Sequence, residues 1–156
     1  MKIILSAYFL FMAFAACNNS DKKADDKSRS GPTAAAVDSM YKALLSEHNE
    51  GMSGWMKIEG RQKQIKNLLD SIATLPSKAQ SSLESLKTKL SEATKALGVA
   101  YEKMDSWMSR MNLDSATNDL KQRFKYLSEE KEWGSVVRKL INSSLQKADS
   151  LLKAKF

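Results

Sequence analysis

The sequence predicts an all-α protein: an antiparallel up-down-up three-helix bundle of coiled-coil character, preceded by a signal peptide and a polar tether. Three observations carry this prediction. Apolar residues recur at alternating steps of four and three along most of the chain. Proline occurs only at positions 32 and 76, and glycine beyond residue 60 only at 98 and 134, while Ala, Leu, Lys, Glu, Gln and Met are abundant. No sustained period-two segment supports a strand.

Positions 1–16 are set apart from the fold. Lys2 supplies a positive charge, Ile3 to Ala16 form an apolar run, and Phe14-Ala15-Ala16-Cys17 reads as a lipobox, with Phe14 where Leu is usual. The run is short of the roughly 20 residues that span a bilayer, and its order of charged, apolar and small-residue sections is that of a secretion signal. Cys17 is the only cysteine, so no internal disulfide exists, and a thioether-linked lipid explains its place. Acyl chains hold a protein on a membrane at about 0.8 kcal/mol for each buried methylene. The expected mature protein starts at Cys17. Residues 17–35 are polar and charged, with Gly31-Pro32 near their end, and read as a flexible tether between lipid and domain.

The first helix is predicted over about 36–74. Its seam is Val37, Tyr41, Leu44, His48, Gly51, Trp55, Ile58, Gln62, Ile65, Leu69 and Ile72. Asp38 favours the start through the helix dipole, and Leu75-Pro76 ends it. The second helix, about 77–112, opens on a capping-box pattern of Ser77 with Gln80. Its seam runs Ala79, Leu83, Leu86, Leu90, Ala93, Leu97, Ala100, Met104, Trp107, Met111. After Asn112-Leu113-Asp114-Ser115, where Asp114 or Ser115 is a candidate cap, the third helix is predicted over about 115–154. It carries Leu120, Phe124, Leu127, Trp133, Val137, Leu140, Ile141, Leu145, Ala148, Leu151 and Leu152, with a drift of the stripe near Lys131 to Gly134 that predicts a kink or a change of packing. Short connections make neighbours antiparallel, and helices of about 35 residues give a rod of roughly 50 Å.

The whole chain carries a net charge of +7, and +6 once Lys2 leaves with the signal. Basic residues are scattered: Lys57, Arg61 and Lys63 alternate with Glu59, and Arg138 and Lys139 follow Glu129, Glu130 and Glu132. No basic face or module for nucleic acid emerges, so the charges read as solvated helix faces with weak attraction to anionic surfaces.

The unusual residues gather in one half of the bundle. Reversal at Leu75-Pro76 puts His48, the only histidine, about level with Met104, and Met40 about level with Met111. His48 and Met52 lie one turn apart, as do Met104 and Met108, so each pair shares a face. Packing is the plainer role, since methionine fills irregular gaps and contacts aromatic rings through sulfur. The sharper one is a Cu(I) or Ag(I) site of His48, Met52, Met104 and Met108, flanked by Met56, Trp107 and Met111, because imidazole and thioether suit soft cations. A single imidazole without an internal thiolate is too little for zinc. No G-x-S-x-G element, phosphate-cradling loop or His-based triad occurs. Glu47, Glu50 and Asp105 flank the cluster and read as solvated acids. Gly51, Gly54 and Gly60 read as points of close helix approach or bending. The expected function is non-enzymatic binding or scaffolding of an envelope protein or ligand. Cu(I) binding is one alternative, and homo-oligomeric self-association of a coiled-coil module is another.

Several segments resemble a family. Glu47-His48-Asn49-Glu50-Gly51-Met52 resembles the H-D-E-x-M element of small bacteroidete helical lipoproteins, often labelled "viral A-type inclusion protein", with Asn49 in place of their usual Asp. Met104-Asp105-Ser106-Trp107-Met108 resembles their M-x-x-W-M element. Tyr126-Leu127-Ser128-Glu129-Glu130-Lys131, Val136-Val137 and Ser143-Ser144-Leu145 resemble their C-terminal helix. The resemblance covers most of the chain from Val37 and brings no established activity and no viral role. It implies lipid anchoring at the outer membrane, facing the periplasm or the cell surface. Lys22-Lys23-Ala24-Asp25-Asp26 is similar to the charged stretch that directs such lipoproteins outward.

Overall fold

A computed structural model of the chain describes residues 31–153. The signal segment, Cys17 and the tether up to residue 30 lie outside the described residues. The described part is all helical: α1 Ala34–Ala73, α2 Ser77–Ser82, α3 Glu84–Arg110 and α4 Leu120–Leu152. The three long helices α1, α3 and α4 each pack against the other two. No helix among the described residues is long and apolar enough to cross a membrane.

The two longest helices begin where a side chain can take up their free amide groups. Thr33 caps α1, its hydroxyl accepting from the Ala36 N–H at 3.2 Å. Asp119, not Asp114 or Ser115, caps α4, accepting from the Lys121 and Gln122 amides at 2.8 and 3.0 Å. The third helix therefore starts five residues later than the sequence suggests. Residues 111–119 instead form a loop. Its Asp114 N–H donates to Asn112 Oδ1, its Asn112 N–H donates to Tyr126 Oη, and Ala116 adopts a left-handed φ of 57°.

The expected capping box of Ser77 and Gln80 does not form. Pro76 stands at the N-cap of α2 without a side-chain cap bond, and Gln80 reaches back to donate to the carbonyls of Ala73 and Leu75 at 3.0 and 2.7 Å. Gln80 thus closes the end of α1, which has orphan carbonyls of its own. The predicted second helix is interrupted at Leu83, giving α2 and α3.

The seams follow the spacing closely. In α1, Leu44, Gly51, Ile58, Ile65 and Ile72 are buried at every seventh position, with Gly54 beside them. In α3 the buried set is Leu90, Ala93, Leu97, Ala100, Met104 and Trp107. In α4 it is Leu127, Glu130, Gly134, Val137, Ile141, Ser144 and Ala148, a run of threes and fours without a slip. Near Lys131 to Gly134, where the sequence predicts a kink or a change of packing, α4 runs on as one helix and its buried positions keep their spacing. The stripe looked broken there because a charged and a small residue occupy two seam positions.

Cross-helix contacts give the order of the elements. Between α1 and α3, Trp55 meets Tyr101 and Gln62 meets Thr94, so partners descend in α3 as they ascend in α1. Between α3 and α4, Ala96 meets Ser144 and Trp107 meets Glu130. Between α1 and α4, Glu47 meets Arg138 and Arg61 meets Asp149, ascending together.

Candidate functional site

The level of the bundle that holds the histidine also holds its main buried polar network. Three residues of α1 meet it: Glu47, His48 and Gly51. From α3 come Met104, Trp107 and Arg110, and from α4 Glu130, Gly134 and Arg138. Small residues make the level possible. A Cβ on Gly134 would lie 2.6 Å from Trp107 Cη2, so the indole lies directly across the glycine backbone. Gly51 leaves a space that Met104 fills, with Cε and Sδ at 3.4 and 3.5 Å from where a Cβ would stand.

Trp107 is almost fully buried and its Nε1–H donates to Glu130 Oε2 at 2.8 Å. The Glu130 carboxylate is itself buried and has Arg110 Nη2 at 3.5 Å. A buried indole needs an acceptor for its N–H, and a buried carboxylate needs donors. Each supplies the other. On the neighbouring seam, Arg138 Nε lies 2.6 Å from Glu47 Oε2 and 3.5 Å from Glu50 Oε2. The hydrogen bond to Glu47, with the charges of Glu47 and Glu50 acting against burial, raises the Arg138 guanidinium above its ordinary value. A cation raised in this way keeps its stabilising effect at every pH below its ordinary titration range, so Arg138 stays charged throughout the physiological window. Among the described residues every fully buried side-chain nitrogen or oxygen has a partner.

The proposed metal ligands are near one another in register but differ in setting. His48 is partly buried, with Nδ1 3.2 Å from Asn49 Oδ1 and its ring 6.0 Å from the Trp107 ring, tilted by 52°. It stands level with Trp107, and Gly51 with Met104, about one turn from the expected pairing. The chain reverses around α2 and not at Leu75-Pro76 alone. Met104 is fully enclosed. Met52, Met108 and Met111 are partly buried and pack against the core. Met56 is 69% exposed and points away from it. Among the described residues no group of three or more His, Cys, Asp or Glu is placed to hold a metal ion, so thioethers would have to supply most donors.

Three features of this level escape sequence reasoning. Glu47 is held by Arg138 and is not a freely solvated acid. Glu130 is buried, although its neighbours Glu129 and Glu132 are exposed. Trp133 is 52% exposed although it looked like a stripe residue. The signal for Glu130 was present in its position three residues after Leu127 and four before Gly134. For Glu47 and Arg138 the pattern held no signal, since the two are paired across helices ninety-one positions apart.

On the outside of the α3–α4 seam, Trp133 stands between two shallow hollows. One is lined by Glu129, Glu132 and Val136, the other by Lys103, Ser106, Arg110 and Val137. Val136 is 58% exposed, and the Arg110 guanidinium lies 5.0 Å over the Trp133 ring. A second aromatic pair, Trp55 stacked on Tyr101 at 4.6 Å, joins α1 to α3, with Trp55 Nε1–H donating to the Tyr101 carbonyl. Comparison with protein-family models, curated proteins and solved structures gives no match to this chain.

Proposed function

We propose that the protein is a non-enzymatic, lipid-anchored up-down-up three-helix bundle of the cell envelope that docks a partner protein on its α3–α4 seam. The order of cross-helix contacts supports the topology: partners of α1 descend along α3 and ascend along α4. Lys2, the apolar run and Phe14-Ala15-Ala16-Cys17 support the lipid anchor, and the resemblance to bacteroidete lipoproteins supports the outer membrane. Replacement of Cys17 by Ser is expected to move the protein from the membrane pellet to the soluble fraction of disrupted cells. An unchanged pellet fraction would remove the anchor from the proposal.

The observation that carries the docking face is Trp133, half exposed on an unbroken helix with a guanidinium over its ring. Tryptophan and arginine are the residue types that dominate binding energy at protein interfaces. Stacking on Arg110 orders the indole before binding, which lowers the entropy cost of docking. The hollows at its sides measure about 230 and 200 Å³, below the roughly 300 Å³ of small-molecule sites, and suit single side chains of a protein partner. A photo-crosslinking amino acid at Val136 of the full chain in living cells is expected to give a discrete adduct, lost when Trp133→Ala is added. The same probe at Lys63, on an exposed face of α1, is expected to give none. Equal labelling from both positions, or an adduct indifferent to Trp133→Ala, would end the proposal.

For the methionines, the geometry supports packing over a Cu(I) centre. Met104 occupies the space above Gly51 and Met56 faces solvent, which spreads the thioethers over separate settings.

A further inference from the structure

We propose that the hollow between the start of α1, the 111–119 loop and the start of α4 binds a small amphipathic monocarboxylate of the fatty-acid class. The hollow measures about 370 Å³. Its walls are mainly apolar: Val37 and Tyr41 from α1, Leu113 from the loop and Leu120 from α4. Leu120, the first residue of α4 after its Asp119 cap, is nearly half exposed beside these walls. Hydrocarbon placed there would cover it.

One cation sits among these walls. Arg123 lies with its guanidinium 6.0 Å over the Tyr41 ring and donates through Nη1 to the Ser115 carbonyl at 2.7 Å. Among the described residues no carboxylate approaches it within 4.0 Å, whereas Arg61 and Arg110 each have one and Arg138 has two. A guanidinium has five N–H donors, so Arg123 keeps most of them for an incoming anion. The two acids of the hollow shape the choice of ligand. Asp38 is held by Lys42 at 2.7 Å, and Asp114 stands exposed at the rim. A dianion such as phosphate meets repulsion from both, and a single carboxylate on a hydrocarbon body meets less of it while still pairing with Arg123. An uncharged lipid fails to use Arg123.

The loop is built to keep this geometry. Ala116 holds a left-handed backbone that residues other than glycine rarely adopt. Two bonds fix the loop around it, from Arg123 to Ser115 and from the Asn112 amide to Tyr126. Strain of this kind persists where the surroundings over-determine the backbone, and it gathers at ligand sites.

The test is titration of the full isotopically labelled chain with octanoate, with 1-octanol and octylammonium as matched probes, followed by amide and side-chain shifts. Octanoate is expected to perturb Tyr41, Leu113, Leu120 and the loop in a saturable way, and the alcohol and the amine to do so at least tenfold more weakly. Arg123→Gln is expected to weaken octanoate by about tenfold or more, the scale of a charge-assisted pair. Since Arg123 also holds the loop, Leu120→Glu is the second variant. An acid in the first turn favours the helix, yet it sets a like charge against the ligand, so binding should vanish while the remaining spectrum is kept. Asp114→Asn is expected to tighten binding. No saturable shift with octanoate, an equal response to all three probes, or undiminished binding in Leu120→Glu would each overturn the proposal.

Discussion

Trp107→Ala is expected to lower the unfolding free energy by about 4 kcal/mol, the largest single effect in the bundle. Removing a buried indole leaves a cavity between three helices, and the Glu130 carboxylate loses its closest donor while staying buried. Arg110 at 3.5 Å is too distant to replace it fully. A domain of this size holds roughly 5–15 kcal/mol in total, so the milder Trp107→Phe provides a folded reference. The phenyl ring keeps part of the apolar contact but removes both the N–H and the ring edge over Gly134, so its cost combines a lost hydrogen bond with lost packing. Glu130→Gln keeps a carbonyl acceptor for the indole and is expected to cost about 1 kcal/mol, and Glu130→Ala about 2–3 kcal/mol because it strands a buried donor. Urea midpoints of the four variants and a Trp107/Glu130 double-mutant cycle check this, with a coupling of about 1–2 kcal/mol expected. Trp133→Ala, on the exposed side of the same helix pair, is expected to change stability by less than about 0.5 kcal/mol. A Trp107→Ala cost no larger than that of Trp133→Ala would remove Trp107 from the core.

The all-helical class and the seams were legible in the sequence because burial in a long helical pair obeys a seven-residue period that side-chain type reports directly. The buried sets of α1 and α3 fall almost wholly on the predicted positions. The reading slipped where one residue type can serve two roles. Gln80 lies at the spacing of a capping box, yet its amide finds the open carbonyls of α1 closer at hand than the Ser77 backbone. Asp114, Ser115 and Asp119 all have cap chemistry, and spacing alone does not rank them. Asn112 turns the chain first, through its side-chain acceptance of the Asp114 amide, so the helix waits for Asp119. The site was legible only as a level of the bundle. Periodicity brought His48, Met104 and Trp107 to one region, but the Trp107–Glu130 and Glu47–Arg138 pairs depend on how side chains cross between helices. A charged residue on a seam looks like a break in the pattern until its partner is known.

The glycines put the same geometry to a sharper test, because one chemical change has opposite effects at two places. Gly134→Ala is expected to destabilise by about 1 kcal/mol net: the new Cβ would meet Trp107 Cη2 and Cζ2 at 2.6 and 2.8 Å and Glu47 Cβ at 3.2 Å. Overpacking of this kind costs about 1–3 kcal/mol, against a gain of about 1 kcal/mol from replacing glycine by alanine in a helix. The indole cannot swing aside cheaply, since its N–H is fixed on Glu130 and Met104 and Gly51 close the level beneath it. Gly60→Ala meets nothing within 4 Å and is expected to stabilise by about 0.5–1 kcal/mol, the helix-propensity gain alone. Chemical denaturation of the two variants should therefore move the midpoint in opposite directions. In the Trp107→Phe background the Gly134→Ala cost should fall, because the smaller ring no longer reaches across the glycine. Midpoints that move together, or a Gly134→Ala cost that ignores the ring at position 107, would contradict the close crossing of α3 and α4 on which the buried network rests.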